Sequence, residues 1–204
     1  IEFVTERLNG EDGVGGIFPA MVNTLMAFDA LGYPKDHPDR MIARRSINGL
    51  VVEKDDEAYC QPCLSPVWDT CLAMHAVQEA GTPGDDPMLE KASNWLLERE
   101  ITELKGDWKE VRPDAPAGGW AFQYLNDYYP DVDDTAVVAM ALDRADSTKY
   151  RESIDRAADW IVGLQSENGG WGAFDADNDY YFVENVPFAA HGAMLDPPTA
   201  DVTA

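Results

Sequence analysis

The segment Asp131-Val132-Asp133-Asp134-Thr135-Ala136-Val137-Val138-Ala139-Met140-Ala141-Leu142 sets the architecture of this chain. Three carboxylates within four residues run into one threonine and then an unbroken apolar stretch. Pro130 ends whatever precedes them. A helix that is apolar on nearly every face must be buried, so its N-terminus opens either on solvent or on a cavity. In a cavity, carboxylates hold or deliver protons, or bind metal.

Outward from this segment the chain reads as helices separated by Gly- and Pro-rich loops, with little strand pattern. An apolar helix is expected over 21–31, after Gly13-Val14-Gly15-Gly16 and before the stop Gly32-Tyr33-Pro34. A more polar one follows over 38–52. Ser65 as N-cap, Pro66 at the first helical position and Gly81 as terminator bound a helix over 65–80. A polar-faced helix over 86–100, the Asp131 helix and an amphipathic helix over 150–164 complete the set. The last forty residues read mostly as loop.

Apolar and amphipathic helices thus alternate three times, and the repeat is visible in the residues. Ser65-Pro66-Val67-Trp68-Asp69-Thr70 resembles Pro130-Asp131-Val132-Asp133-Asp134-Thr135, 65 positions on. Lys91-Ala92-Ser93-Asn94-Trp95 matches Arg156-Ala157-Ala158-Asp159-Trp160 at the same spacing. Asp201-Val202-Thr203-Ala204 begins what looks like a third copy. A pair with an apolar inner helix and an amphipathic outer one predicts two concentric layers: an all-α fold, an α/α barrel or toroid. The repeat would place Trp68, Asp133 and Asp201 at equivalent inward positions. Gln165-Ser166-Glu167-Asn168-Gly169-Gly170-Trp171 closes one outer helix. Glu100 followed by Gly106-Asp107-Trp108 reads as its degraded counterpart. Here Gln is expected to bond helix-end backbone and Trp to pack over the turn, a structural role.

The 204 residues carry a net charge of -23, which repels nucleic-acid phosphates and excludes binding along a DNA backbone. No apolar stretch is long enough to span a membrane, and no signal-peptide pattern is present. The chain starts at Ile1 and stops where an element begins, and is read as an internal fragment. Cys60-Gln61-Pro62-Cys63 has thiol-redox spacing without a βαβ context. With Cys71 and His75 it could form a Cys₃His zinc site, against the simpler reading of small buried thiols and a core histidine. An odd cysteine count points to reduced thiols.

The tetrad Asp131–Asp134 with Thr135-Ala136, the Gln165…Trp171 loop, Gly119-Trp120-Ala121-Phe122-Gln123, Ser65-Pro66-Val67-Trp68-Asp69-Thr70 and Asp196-Pro197-Pro198-Thr199-Ala200-Asp201-Val202-Thr203-Ala204 together resemble bacterial squalene–hopene cyclases. The resemblance covers the whole chain, which would be about a third of such an enzyme: an incomplete α/α-barrel region over 1–204, expected to be inactive alone. Oxidosqualene cyclases share the architecture but carry a different acid motif. The resemblance implies proton-initiated cyclisation of squalene to hopene or hopanol, with no metal and no cofactor. It further implies a monotopic enzyme, peripheral on the bacterial cytoplasmic membrane, and a homodimer when full length. It makes Asp133 the proton donor, with Asp131 and Asp134 orienting and polarising it and Asp196 and Asp201 supporting. Trp68 and Phe122 would line the cavity as cation stabilisers, with Phe174 where relatives carry tyrosine. A supporting histidine is expected one residue past Ala204, and neither His75 nor His191 replaces it.

The residues themselves agree. An alkene is a very weak base, so its acid must be strong and yet protonated. Three adjacent carboxylates cannot all ionise and so share a proton, and a helix N-terminus stabilises the carboxylate left behind. Helical geometry puts Asp131 and Asp134 near one face and Asp133 on another. The alternatives are a related cyclase acting on another linear terpenoid, a magnesium–diphosphate terpene synthase, and a non-enzymatic toroid that binds protein. The second needs basic residues for the diphosphate beside its acids, and no basic cluster accompanies the tetrad. Asp175-Ala176-Asp177-Asn178-Asp179 resembles the start of a calcium loop, but Tyr180 and Val186 stand where glycine and glutamate are needed.

Overall fold

A computed structural model describes residues 1–10, 12–187 and 195–204, which fall into two compact units. The first comprises Ile1–Val67 with Phe122–Asn126, the second Trp68–Ala121 with Asp127–Ala204.

In the first unit, α1 (Glu2–Arg7) precedes α2 (Phe18–Ala30) and α3 (Pro38–Gly49). Proline in the first turn of α2 and α3 uses positions whose N–H would be unpaired in any case. Met21, Thr24 and Phe28 of α2, at helical spacing, are buried together with Ala43 and Ser46 of α3, and the two helices pack on each other. Helix α3 stops at Gly49, short of the expected Val52, because Val51 and Val52 enter an antiparallel hairpin. Its strands are β1 (Val51–Glu53) and β2 (Ala58–Cys60), with Val51 opposite Cys60. The fold is helix-rich, as the all-α expectation has it, with one small two-stranded element among the described residues that the sequence did not suggest.

Most of α4 (Pro66–Glu79) belongs to the second unit. It is followed there by α5 (Pro87–Leu97), α6 (Trp108–Val111), α7 (Val132–Asp146), α8 (Arg151–Gly163) and α9 (Ala200–Thr203). Asp86 caps α5 by accepting from the Met88 N–H at 2.8 Å, a device worth about 1 kcal/mol. Helix α7 packs on α8 and also against α5. Trp108, Ala115, Val132, Trp160 and Leu164 form a buried cluster, with the Trp108 and Trp160 rings edge-to-face at 6.0 Å.

The repeat holds, one residue off the register read from sequence. Leu89, Ser93 and Leu96 are the buried face of α5, and Ser153, Ala157 and Trp160 that of α8, 64 positions on. Cys71, Met74 and Gln78 of α4 likewise correspond to the buried Thr135, Val138 and Leu142 of α7. In this register Trp68 corresponds to Val132, and Asp69 rather than Trp68 to Asp133. Trp95 is only half-buried, under the Arg99 guanidinium at 3.7 Å, and the buried counterpart of Trp160 is Leu96.

The Trp loops are staples, with a corrected pairing. The Trp171 indole N–H donates to the Ile161 carbonyl in the last turn of α8, at 2.7 Å. Its equivalent on α5 is Trp120, fully buried, whose indole N–H donates to the Leu96 carbonyl at 2.8 Å. Each satisfies a carbonyl near a helix end. Trp108 instead donates locally to Lys105. The shared sequence is Gly118-Gly119-Trp120 and Gly169-Gly170-Trp171. The Gln165 amide donates to the Gly169 carbonyl, closing its own loop rather than the helix end.

Candidate active site

Both staple loops meet the first turn of α7. The Asp131 N–H donates to the Trp120 carbonyl at 2.9 Å, and the Val132 N–H to the Ala173 carbonyl, two residues past Trp171, at 2.7 Å. The buried Thr135 hydroxyl donates to the Asp131 carbonyl at 2.6 Å and accepts from the Trp120 N–H at 2.9 Å. Asp131 is the N-cap: its Oδ1 accepts from the Asp134 N–H at 2.8 Å. The turn is thereby held from three sides before its chemistry begins.

Asp131 and Asp134 are each 2% exposed, whereas Asp133 is half-buried. That is the division of faces expected from the sequence. The three place one carboxylate oxygen each within 4.8 Å of one another. Burial pushes the Asp131 carboxyl well above the usual carboxylate range, helped by the charge of Asp134, its hydrogen bond to Asp134 and the charge of Asp133. Burial likewise pushes Asp134 up to about 7, opposed by the hydrogen bond from Asp131 and reinforced by the charges of Asp133 and Asp69. Asp131 Oδ2 and Asp134 Oδ1 lie buried with no other donor beside them. A carboxyl proton held between the two acids meets that need.

These shifts predict a pH-dependent stability. Both groups bind protons more tightly folded than unfolded, so the folded state is favoured by protonation and stability falls as pH rises from about 4 towards 7. Denaturant unfolding across that range should show the decline, of the order of a few kcal/mol. The double change Asp131→Asn, Asp134→Asn should flatten it. An unchanged slope in the double variant would show that other groups carry the dependence.

The remaining sequence candidates fall differently. Asp196 accepts from the N–H groups of Ala173 at 3.0 Å, Phe174 at 2.6 Å and Asp175 at 2.7 Å. It thus clamps the loop whose Ala173 carbonyl receives Val132. Gly172 is required there, since a Cβ would sit 2.4 Å from the Asp196 carbonyl oxygen. Phe174 rides on this loop with its ring 45% exposed. Trp68 is half-buried on α4, and Phe122, also half-buried, belongs to the first unit. Asp201 is exposed in the first turn of α9, its carboxyl lowered chiefly by a hydrogen bond from Thr199. Helix α9 reaches Trp171 through Thr203, whose hydroxyl accepts from the Trp171 N–H at 3.0 Å. His191 lies outside the described residues.

Sequence reasoning left Asp69, Trp120, Thr135 and Gly172 without a role. Asp69 and Thr135 stand inside the quoted repeat motifs, and the doubled Gly-Gly-Trp triplet would have found Trp120. The zinc set does not assemble among the described residues: Cys60 is exposed, Cys63 half-buried, and the only acidic or thiol group dense enough for an ion is the Asp triad. Cys71 is a buried thiol pushed up to about 12 by burial and then by Asp134, and His75 bonds the Val137 carbonyl at 3.2 Å. The calcium reading fails too, because Asp177 is spent on Arg112 and on the Glu167 N–H.

Comparison with known proteins converges on one family. The profile of the squalene–hopene cyclase C-terminal domain matches residues 64–204, and that of the N-terminal domain matches residues 1–56. The whole chain is 56% identical to a squalene–hopene cyclase of Zymomonas mobilis over 33% of that protein. It is 54% identical to one of Bradyrhizobium diazoefficiens over 32%, and 43% identical to one of Alicyclobacillus acidocaldarius over 33%. The chain spans about a third of the length of the curated relatives it matches.

Proposed function

Because the chain belongs to the squalene–hopene cyclase family, we propose that the protein containing it cyclises squalene to hopene or hopanol by proton initiation. The observation that carries this reading is the buried, proton-retaining Asp131–Asp134 pair beside the half-buried Asp133 at the start of α7. The helix pairs are read as part of an α/α toroid whose cavity faces Asp133.

In this reading Asp133 passes its proton to the terminal carbon of the polyene. The alkene π pair forms the new C–H bond and leaves a tertiary cation on the neighbouring carbon. Each following double bond attacks in turn, and the last cation loses a proton to give hopene or takes water to give hopanol. The carboxylate left on Asp133 is stabilised by the N-terminal end of α7. Asp131 and Asp134 share the retained proton with Asp133, and orient and polarise it. Trp68 and Phe122 offer aromatic faces that stabilise the moving cation without trapping it, because a ring face is electron-rich but a poor nucleophile there. Phe174 offers a ring without a hydroxyl. Asp196 acts through loop 173–175, and Asp201 through α9. No step needs a metal or organic cofactor.

No described helix is long and apolar enough to cross a membrane. Squalene partitions into bilayers, which supports reading the protein as a monotopic enzyme, peripheral on a membrane surface; the family resemblance adds a homodimer when full length.

The test is incubation of the full-length protein with squalene and analysis of products by mass spectrometry, expecting hopene and hopanol. Trp68→Ala should still initiate but release smaller-ring or early-quenched products, because a cation partner and a piece of wall are lost together. A product profile unchanged by Trp68→Ala would remove that residue from the cavity, and absence of any cyclised product from the intact protein would remove the function.

A further inference from the structure

Ten of the fifteen Lys and Arg residues form ion pairs with a carboxylate among the described residues. In so acidic a chain that is the expected outcome. Three of the remaining five, Lys35, Arg44 and Arg45, converge on one groove of about 340 Å³ between α2 and α3 in the first unit. All three are exposed. The rest of the lining is Leu25, Arg40, Met41 and Asn48, with no carboxylate. Arg40 is committed to Asp29, and Asp39 faces His37. Neither Arg44 nor Arg45 stands in the last turn of α3, where the helix dipole would favour a cation. Lys35 reaches the groove from the preceding loop.

We propose that this groove seats the phosphate of an anionic phospholipid headgroup, and so sets how the protein lies on a charged bilayer. The proposal rests on the reading that the protein works at a membrane. These 204 residues carry a net charge of -23, so most of their surface repels an anionic bilayer, and a face where positive charge dominates locally is the one such a bilayer attracts. Guanidinium groups match phosphate oxygens bidentately. Leu25, half-buried, and Met41, 46% exposed, supply apolar surface beside the cations. A free phosphate ion would leave that surface idle, whereas the glycerol end of a lipid would cover it.

The experiment measures partition of the full-length protein onto phosphatidylcholine vesicles with and without phosphatidylglycerol. The unaltered protein should bind the anionic vesicles more tightly, and added salt should reduce the difference. Arg44→Gln with Arg45→Gln should reduce anionic-vesicle binding more than tenfold, at about fivefold per basic residue, and leave binding to neutral vesicles and detergent-supported cyclisation unchanged. The pair Lys91→Gln, Lys109→Gln, lysines elsewhere that form no ion pair among the described residues, should retain the preference. Equal binding of the unaltered protein to both vesicles would overturn the groove and keep the membrane reading; binding to neither would overturn both. Retained preference in the arginine variant, or displacement by millimolar inorganic phosphate at constant ionic strength, would also overturn the proposal, the latter by identifying a free-phosphate site.

Discussion

Asp133→Asn in the full-length protein should abolish cyclisation while the fold persists. The amide is nearly isosteric and keeps hydrogen-bonding capacity, but it has no proton acidic enough for an alkene. Loss of a general acid typically costs 10²–10⁴ in rate. Here the loss should reach the upper end or beyond, because nothing downstream occurs until the first proton is delivered. Stability should change little: Asp133 is only half-buried, and the cap of α7 is Asp131, not Asp133. Thermal unfolding and product formation measured together separate the outcomes. Near-normal hopene yield would reassign the donor, with Asp131 and Asp134 next to examine. Loss of yield together with loss of fold would leave Asp133→Glu, which keeps an acid, as the deciding comparison: it should recover part of the activity only if Asp133 is the donor.

The second large effect is on folding. Trp120→Ala should destabilise the second unit by about 4 kcal/mol, within the range for truncating a fully buried aromatic side chain. The indole is 0% exposed, and its removal also takes one donor from the Leu96 carbonyl, which keeps the Arg99 N–H at 2.9 Å. Marginal stabilities of 5–15 kcal/mol leave little after such a loss. Trp171→Ala should cost less, because Trp171 is only half-buried. Trp120→Phe should fall between, keeping packing but not the hydrogen bond. Denaturant midpoints for the three variants check the order. Equal midpoints for Trp120→Ala and Trp171→Ala would mean that burial does not distinguish the two staples.

The helices were legible wherever Pro, Gly or a capping side chain marks an end. The expected span 65–80 is Pro66–Glu79, and 150–164 is Arg151–Gly163. The division of Asp131 and Asp134 from Asp133 followed from helical geometry alone. The hairpin was not legible because its strands are three residues each, largely exposed, and follow a good helix without a proline between. The letters put the repeat one residue off because Trp95 and Trp160 are identical, whereas burial pairs Trp160 with Leu96. Trp108 stands nearer than Trp120 to the spacing of Gln165 and Trp171, because the loop between Glu100 and Trp120 is far longer. Asp196 could be nominated only by resemblance. What it does, holding three consecutive amides some twenty residues upstream, is a non-local contact that no spacing encodes.

Asp131 serves two masters: the carboxyl that begins α7 is also the one that retains the proton. Losing that proton makes it a stronger acceptor for the Asp134 N–H and a better partner for the helix dipole, yet leaves a charge buried. The two consequences oppose each other, so the acidity of the turn and the integrity of the helix cannot be tuned independently. Lineages seeking a weaker or stronger acid would have to alter the neighbours instead. Asp69, which acts on Asp134 from α4, and the loop held by Asp196 are the places where such drift could accumulate without breaking the cap.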